Sequence, residues 1–301
     1  MMFIIKNKFI YLGISSVLVI VSLIIIFTKG LNISIDFTGG SVMEVSYDVR
    51  PDIATIQSSF SELKYTGTVQ PFGEKNIIVK TRDLSEKERE NLVGTLTVDG
   101  HTPKIERFNS VGPSVGKELR SKAIIAMIIV MVMIILFVAY AFRHVARGRD
   151  GKRLGPSSSL YGVYAVVALL HDVVIPTGVF ALLNIEVNSL FIVGLLSILG
   201  LSVNDTIVTF DRIRENLRTN SENKIAESFS NIVGRSITQT ITRSISTSLT
   251  IMITLLILFL IGPESTKVLA LVMLIGTFIG TYSSIFVASP LLVLSYKEVK
   301  E

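Results

Sequence analysis

The sequence predicts an α-helical membrane protein with six transmembrane helices and one folded α+β domain outside the membrane. Three observations carry this reading. Six apolar runs are each long enough to cross a hydrocarbon core of about 30 Å at about 1.5 Å per residue. Only 18% of the 301 residues are charged and 49% are hydrophobic, against about 25% charged in an ordinary soluble domain. One stretch between the first two runs is instead soluble in composition, with both signs of charge interspersed.

The first run, Phe9 to Thr28, follows Lys6 and Lys8. A signal peptide has a shorter core of about 7–15 residues and then small residues at a cleavage site. This run is longer and ends Phe27-Thr28-Lys29-Gly30, so residues 1–29 read as a tail and a retained span whose N-terminus is cytoplasmic.

Residues 30–120 form the soluble stretch. Strand-like segments occur at Ser41–Tyr47, Thr66–Phe72, Asn76–Lys80 and Pro103–Phe108, and helix-like segments at Pro51–Leu63 and Ser85–Leu96. Ser85-Glu86-Lys87-Glu88 has the Ser-x-x-Glu spacing of a capping box. Phe72-Gly73-Glu74-Lys75 reads as a hairpin turn. The order β-α-β-β-α-β is the split ferredoxin-like pattern.

Residues 121–301 hold five further spans, at Ala123–Phe142, Leu160–Leu183, Ser189–Phe210, Thr240–Ile261 and Lys267–Leu294. Starting inside, their alternation places loops 143–159 and 211–239 in the cytoplasm, together with the C-terminus Lys297 to Glu301. Arg143, Arg147, Arg149, Lys152 and Arg153 fall in the first loop, and Arg212, Arg214, Arg218, Lys224 and Arg235 in the second. Positive charge beside spans marks the cytoplasmic side. The net charge of +5 is therefore assigned to membrane orientation and contact with the lipid bilayer, and no nucleic-acid partner is expected. The chain has no cysteine and three unpaired histidines, so no disulfide, thiol chemistry, metal site or cofactor is expected.

A large domain after the first helix, followed by five closely spaced helices, is the plan of half an RND-type transporter, and a missing half implies a partner. Three segments then carry a resemblance. Ile35-Asp36-Phe37-Thr38-Gly39-Gly40 resembles a D-F-x-G-G signature. Val111-Gly112-Pro113-Ser114-Val115-Gly116 resembles a V-G-P-x-V-G motif. Ser202-Val203-Asn204-Asp205-Thr206-Ile207-Val208, continued by Phe210-Asp211-Arg212-Ile213-Arg214-Glu215-Asn216, resembles the end of a fourth helix. With His171-Asp172 in the third helix, these resemble the SecF members of the SecD/SecF protein-export family. The resemblance implies a non-enzymatic subunit of the bacterial cytoplasmic membrane. It would work with SecD beside the SecYEG translocon and act on exported polypeptides with the proton-motive force. H⁺ and Na⁺ remain alternatives, because a carboxylate serves either.

Intramembrane polar residues mark the candidate site. A charge at the bilayer centre costs at least about 2.5 kcal/mol. Asp205 lies within apolar sequence near the cytoplasmic end of its span, and something must offset its cost. Ser236, Gln239, Thr240, Arg243, Ser246, Thr247 and Thr250 recur at helical spacing in the fifth helix and form one polar stripe. Arg243 is the expected ion-pair partner of Asp205. The plainer readings are snorkelling for Arg243 and a fixed ion pair for Asp205. His171-Asp172 is either a second station for the coupling ion or a hydrogen-bonded helix contact.

Gly39 and Gly40, after Asp36, are expected where the chain leaves the membrane. Gly112 and Pro113, with Gly116, end a strand before the second helix. Gly112-x-x-x-Gly116-Lys117 is one residue short of a P-loop and lacks its hydroxyl, so no nucleotide site is expected. Two other classes compete. A half-size RND exporter of lipids or small molecules would share the plan. An intramembrane aspartyl protease would need two carboxylates sharing a proton.

Overall fold

A computed structural model describes residues 2–62, 67–98, 100–142 and 155–296. The basic cluster at 143–154 and the C-terminal residues 297–301 lie outside the described residues. Contacts divide the chain into two compact units, one within Met1–Asn32 and Ile125–Glu301, the other Ile33–Ile124.

A short helix α1 (Met2–Lys6) precedes α2 (Lys8–Lys29), the first membrane-length helix. The α+β unit then begins with one turn, α3 (Ile35–Thr38), capped by Ser34 Oγ, which accepts from the Asp36 amide. It continues as β1 (Gly40–Ser46), α4 (Ile53–Glu62), β2 (Gly67–Phe72), β3 (Asn76–Thr81), α5 (Glu86–Thr95) and β4 (Lys104–Val111). The sheet order is β2-β3-β1-β4 with every pairing antiparallel, which is the ferredoxin-like arrangement. Period-2 alternation puts Met43 opposite Val79 and Val45 opposite Ile77 on one face. Ile56 and Phe60 of α4, Leu92 of α5 and Leu96 just after it join the same buried cluster. A register shift after Glu44 leaves Glu106 as an extra residue on β4.

Five more helices follow: α6 (Pro113–Ala141), α7 (Ser158–Leu182), α8 (Ser189–Glu222), α9 (Phe229–Ile261) and α10 (Glu264–Ser283). The last continues through a π-helical turn (Ser284–Ala288) into α11 (Ser289–Ser295). Counting α10 to α11 as one element, six helices among the described residues have the length and apolar character to span a membrane, and the protein is a multi-pass membrane protein. Pro113 opens α6, where a missing amide costs nothing and φ is already helical.

The observed helices outrun the apolar runs. The segment expected as a loop at 211–239 is mostly helix: α8 continues to Glu222 and α9 starts at Phe229. Hydropathy marks only the apolar part of a helix, and nothing in 211–222 breaks it. Ion pairs one turn apart support the extension, Arg212 with Glu215 and Arg218 with Glu222. Its inner side is packed, because Phe210, Ile213 and Leu217 join Phe229, Ile232 and Val233 in one core with Ile4 and Ile5 of α1. The second difference is the π turn. Pro290 cannot donate to a carbonyl one turn back, and the single helix expected over Lys267–Leu294 takes up the break just before it.

Candidate functional site

Gly276 and Gly280 set the site's dimensions. A Cβ on Gly276 would lie 2.1 Å from Ile198 Cδ1, and one on Gly280 would lie 3.0 Å from Ser202 Cβ. Small residues thus let α10 approach α8 closely, which brings the hydroxyls of the last helix to the carboxylates of α7 and α8.

Asp205 is half-buried on α8. Its two oxygens accept from Ser244 Oγ of α9 and Ser284 Oγ of the π turn. The ion pair expected with Arg243 is not formed; among the described residues Asp205 makes no salt bridge. Arg243 instead lines the same cavity as Asp205, together with Thr247, Ser248 and Thr281. The physical reason lies in helix phase. Ser244 is buried against α8, whereas Arg243, one residue earlier, is on the exposed side of α9.

The stripe expected along α9 is divided in the same way. Ser236 and Thr240 are buried, and Gln239, Arg243, Ser246, Thr247 and Thr250 are exposed in this chain; Ser244 and Ser248, outside the expected stripe, continue the buried side. Gln239 Oε1 accepts from Arg212 Nε at 2.7 Å and Asn216 Nδ2 at 2.8 Å, tying α9 to the extension of α8. Thr240 Oγ1 donates to the Ser236 carbonyl at 3.1 Å. Gln239, Thr240 and Arg243 line a second cavity with Asp211, Arg212 and Glu215. Arg243 therefore stands between the Asp205 cavity and a charged mouth, while Ser246 lines neither.

His171 and Asp172 are buried on α7, and Asp172 is 0% exposed. Although adjacent on a helix, they meet: His171 Nδ1 lies 3.0 Å from Asp172 Oδ1. Asp172 Oδ2 accepts from Ser202 Oγ of α8 and from Ser283 Oγ at 2.8 Å. The imidazole stacks on Tyr282, with centroids 6.2 Å apart. Ser202, Ser244, Ser283 and Ser284 join the candidate site, and charge-based reading did not assign them. For Ser283 and Ser284 a signal was present as Gly276, Gly280, Thr281, Ser283, Ser284 and Ser289 inside a largely apolar run.

The two glycine signatures meet in the α+β unit. Gly39 has φ +75°, and a Cβ there would fall 2.6 Å from Pro113 Cα; a Cβ on Gly116 would fall 2.7 Å from the Gly39 nitrogen. Gly40, at φ +130°, would place a Cβ 2.6 Å from the Thr81 carbonyl oxygen. The Gly112 carbonyl accepts from the Gly116 amide at 3.0 Å, closing the first turn of α6. Asp36 sits in α3 directly before this joint. Two motifs about seventy residues apart in sequence are thus one close-packed contact.

The fold is the plan of half an RND-type transporter, with a ferredoxin-like domain between the first two membrane-length helices, and its helices carry one buried carboxylate, Asp172, and one half-buried, Asp205. The family model "Protein export membrane protein SecD/SecF, C-terminal" matches residues 94–150 and 156–298, and the "SecD/SecF GG Motif" matches 24–49. The chain belongs to the SecD/SecF family. It is 35% identical to the protein translocase subunit SecF of Calditerrivibrio nitroreducens, covering 93% of this chain and 90% of that one. It is 36% identical to the SecF of Desulfurispirillum indicum, covering 93% and 87%. The crystal structure of SecDF, a translocon-associated membrane protein from Thermus thermophilus, aligns with a TM-score of 0.81 at 30% identity over 96% of this chain. This chain spans 38% of that SecDF chain's length.

Proposed function

We propose that this chain is a SecF-type, non-enzymatic subunit of a SecDF complex in the bacterial cytoplasmic membrane. It assists translocation of exported polypeptides with SecD beside the SecYEG channel, and Asp205 couples that work to a proton or sodium gradient. Its N- and C-termini, the segment 143–159 and the largely helical segment 211–239 face the cytoplasm, as their positive charge favours. The exposed polar side of α9 supports a partner half, because Gln239, Arg243 and Thr247 facing lipid would be costly.

The observation that carries the reading is Asp205 on a cavity wall, holding hydroxyls from two other helices. An ionised carboxylate accepts from Ser244 and Ser284 at once, clamping α8 to α9 and to the last helix. Protonation converts one oxygen into a donor and weakens that clamp, so ion uptake changes how three helices are held. Arg243 supplies positive charge on the wall of the same cavity. His171 and Asp172 form a second station behind it. Because α6 begins inside the Gly39–Pro113–Gly116 joint, that joint is the hinge element through which helix movement reaches the α+β domain. A protease reading fits less well, since Asp172 and Asp205 bind different serines and not each other.

The test is precursor export into inverted membrane vesicles with and without an ion gradient. Asp205→Asn keeps size and hydrogen bonding but cannot ionise. It should accumulate normally and lose the gradient-dependent part of export, while Asp205→Glu retains part of it. Undiminished gradient dependence in Asp205→Asn would overturn the reading.

A further inference from the structure

The last membrane element presents two adjacent serines, Ser283 and Ser284, each 0% exposed. Consecutive side chains on a helix diverge by about 100°, and these diverge onto two different acids. Ser283 Oγ donates to Asp172 Oδ2 at 2.8 Å, and Ser284 Oγ donates to Asp205. The π turn begins at Ser284. Each hydroxyl also has a second acceptor in its own helix: the Gly280 carbonyl lies 3.1 Å from Ser283 Oγ, and the Thr281 carbonyl 3.1 Å from Ser284 Oγ. Ser289 Oγ donates to the Ser284 carbonyl at 3.1 Å across the turn.

We infer that Ser283 and Ser284 are positioning residues that join Asp172 and Asp205 into one coupled pair, with the π turn as the link. The inference rests on the ion-coupling reading above and adds to it which residues make the two acids act together. A serine hydroxyl has one hydrogen and gives it to one acceptor at a time. While a carboxylate is ionised, it is the stronger acceptor and holds that hydrogen. Once the carboxyl carries its own proton, it can donate to the serine oxygen, and the serine hydrogen turns to the backbone carbonyl of the preceding turn. Such back-bonding bends a helix locally. Both serines belong to one turn, so a change at either acid alters the geometry offered to the other.

Charged and titratable groups facing the pair come from several elements. His171 of α7 touches Asp172, Arg243 of α9 lines the Asp205 cavity, and Tyr282 of α10 stacks on His171. The first span contributes Ser15, whose Oγ donates to the Tyr282 hydroxyl at 3.3 Å, and Tyr11, whose carbonyl accepts from that hydroxyl at 3.2 Å. Ser202 of α8, one turn before Asp205, also donates to Asp172, whereas Ser283 and Ser284 each donate to one of the two acids from a single turn.

The experiment measures gradient-driven export against pH in vesicles carrying the full chain as wild type, Ser283→Ala, Ser284→Ala and the double variant. Removing a hydrogen bond to a carboxylate should move the pH of half-maximal export by about one unit in each single variant. Coupled sites give non-additive effects, so the double variant should move no further than the larger single one. Ser283→Thr and Ser284→Thr, which restore the hydroxyl, should return the profile. Shifts that add in the double variant, or a Ser283→Ala profile that does not move, overturn the inference. Should an alanine variant fail to accumulate, Ser283→Cys and Ser284→Cys carry the same comparison with similar volume and a weaker donor. Asp205→Asn, run in parallel, separates the two levels. If it keeps full gradient dependence, the ion-coupling reading fails; if it loses that dependence while the serine shifts add, the link alone fails.

Discussion

Asp172 and Asp205 are both carboxylates in membrane-spanning helices, and each accepts from two serine hydroxyls, yet their surroundings differ. Asp172 is fully enclosed, with His171 as a third partner. Asp205 is half-buried on a cavity wall that it shares with Arg243. Hydrogen bonding alone therefore does not separate the two acids. Access does: Asp205 lines a cavity, whereas Asp172 is enclosed by hydroxyls and an imidazole.

The largest expected effect breaks this comparison at Asp172. Asp172→Ala strands Ser202 Oγ and His171 Nδ1 in a closed site, while Ser283 Oγ keeps the Gly280 carbonyl, and each buried group left unsatisfied costs about 1–3 kcal/mol. A loss of that size is a large share of a protein's net stability. Quantitative immunoblotting of membranes should show Asp172→Ala reduced by roughly tenfold or more. Asp205→Ala, on a cavity wall and with Ser284 able to turn to the Thr281 carbonyl, should stay near the wild-type level. Asp172→Asn, which keeps the shape and an acceptor, should accumulate. Equal accumulation of the two alanine variants would remove the distinction.

The sequence reading reached these two acids unequally. Asp205 stood out because an acid in an apolar run has a cost that must be offset, and that argument needs no structure. The ferredoxin-like order was legible as well, since alternation in Ser41–Tyr47 and Asn76–Lys80 and the Ser85 box are local signals. The Asp205 environment was not. Opposite charges on facing helices suggest a pair, but a one-residue difference in phase puts Ser244, not Arg243, against α8. The π turn was hidden because hydropathy does not register a change of helical winding. The extension of α8 to Glu222 was hidden because polar helix and polar loop look alike until Asn216 is seen bonded to Ser236 and Gln239. The meeting of Gly39 with Pro113 and Gly116 is a long-range contact, and each motif alone described only its own turn.

Arg243 sharpens the comparison at an intermediate scale. It makes no hydrogen bond to Asp205, so it contributes potential to the cavity and not a fitted guanidinium contact. Lysine carries the same charge without the planar fork. In the vesicle assay, Arg243→Lys should keep most gradient-driven export, while Arg243→Met should lose several-fold, about 1 kcal/mol of barrier. A loss in Arg243→Lys as deep as in Arg243→Met would mean that guanidinium geometry matters, and that a direct contact forms in another state of the transport cycle.

A third carboxylate, outside the membrane, gives the smallest effect and the clearest pH sign. Glu88 closes the capping box of α5: its Oε2 accepts from the Ser85 amide at 2.9 Å and the Ser85 hydroxyl at 2.8 Å, and Arg82 pairs with its other oxygen. The Arg82 hydrogen bond first, and the Ser85 bonds next, hold its carboxyl down to about 2 from the usual 4.5. A depressed folded value means that the capping contribution is fully present above about 4.5 and is lost as the pH falls through about 2. Glu88 lies at the surface, partly open to solvent, so the contribution is modest and screened by salt. The measurement is hydrogen exchange at the Arg89 amide, which donates to the Ser85 carbonyl at 2.9 Å, referenced to core-strand amides such as Val79 to cancel the intrinsic pH dependence. Relative protection should hold near pH 7, fall between about 4.5 and 2, and be weaker throughout at high salt. Glu88→Gln keeps an acceptor for the Ser85 amide but has nothing to titrate, so its relative protection should start lower and stay flat across the same range. A wild-type profile as flat as that of Glu88→Gln would show that the box is held by its neutral hydrogen bonds and that Arg82 adds nothing, whereas a steep one would make Glu88 the exposed counterpart of Asp205, an acid whose charge fixes the start of a helix.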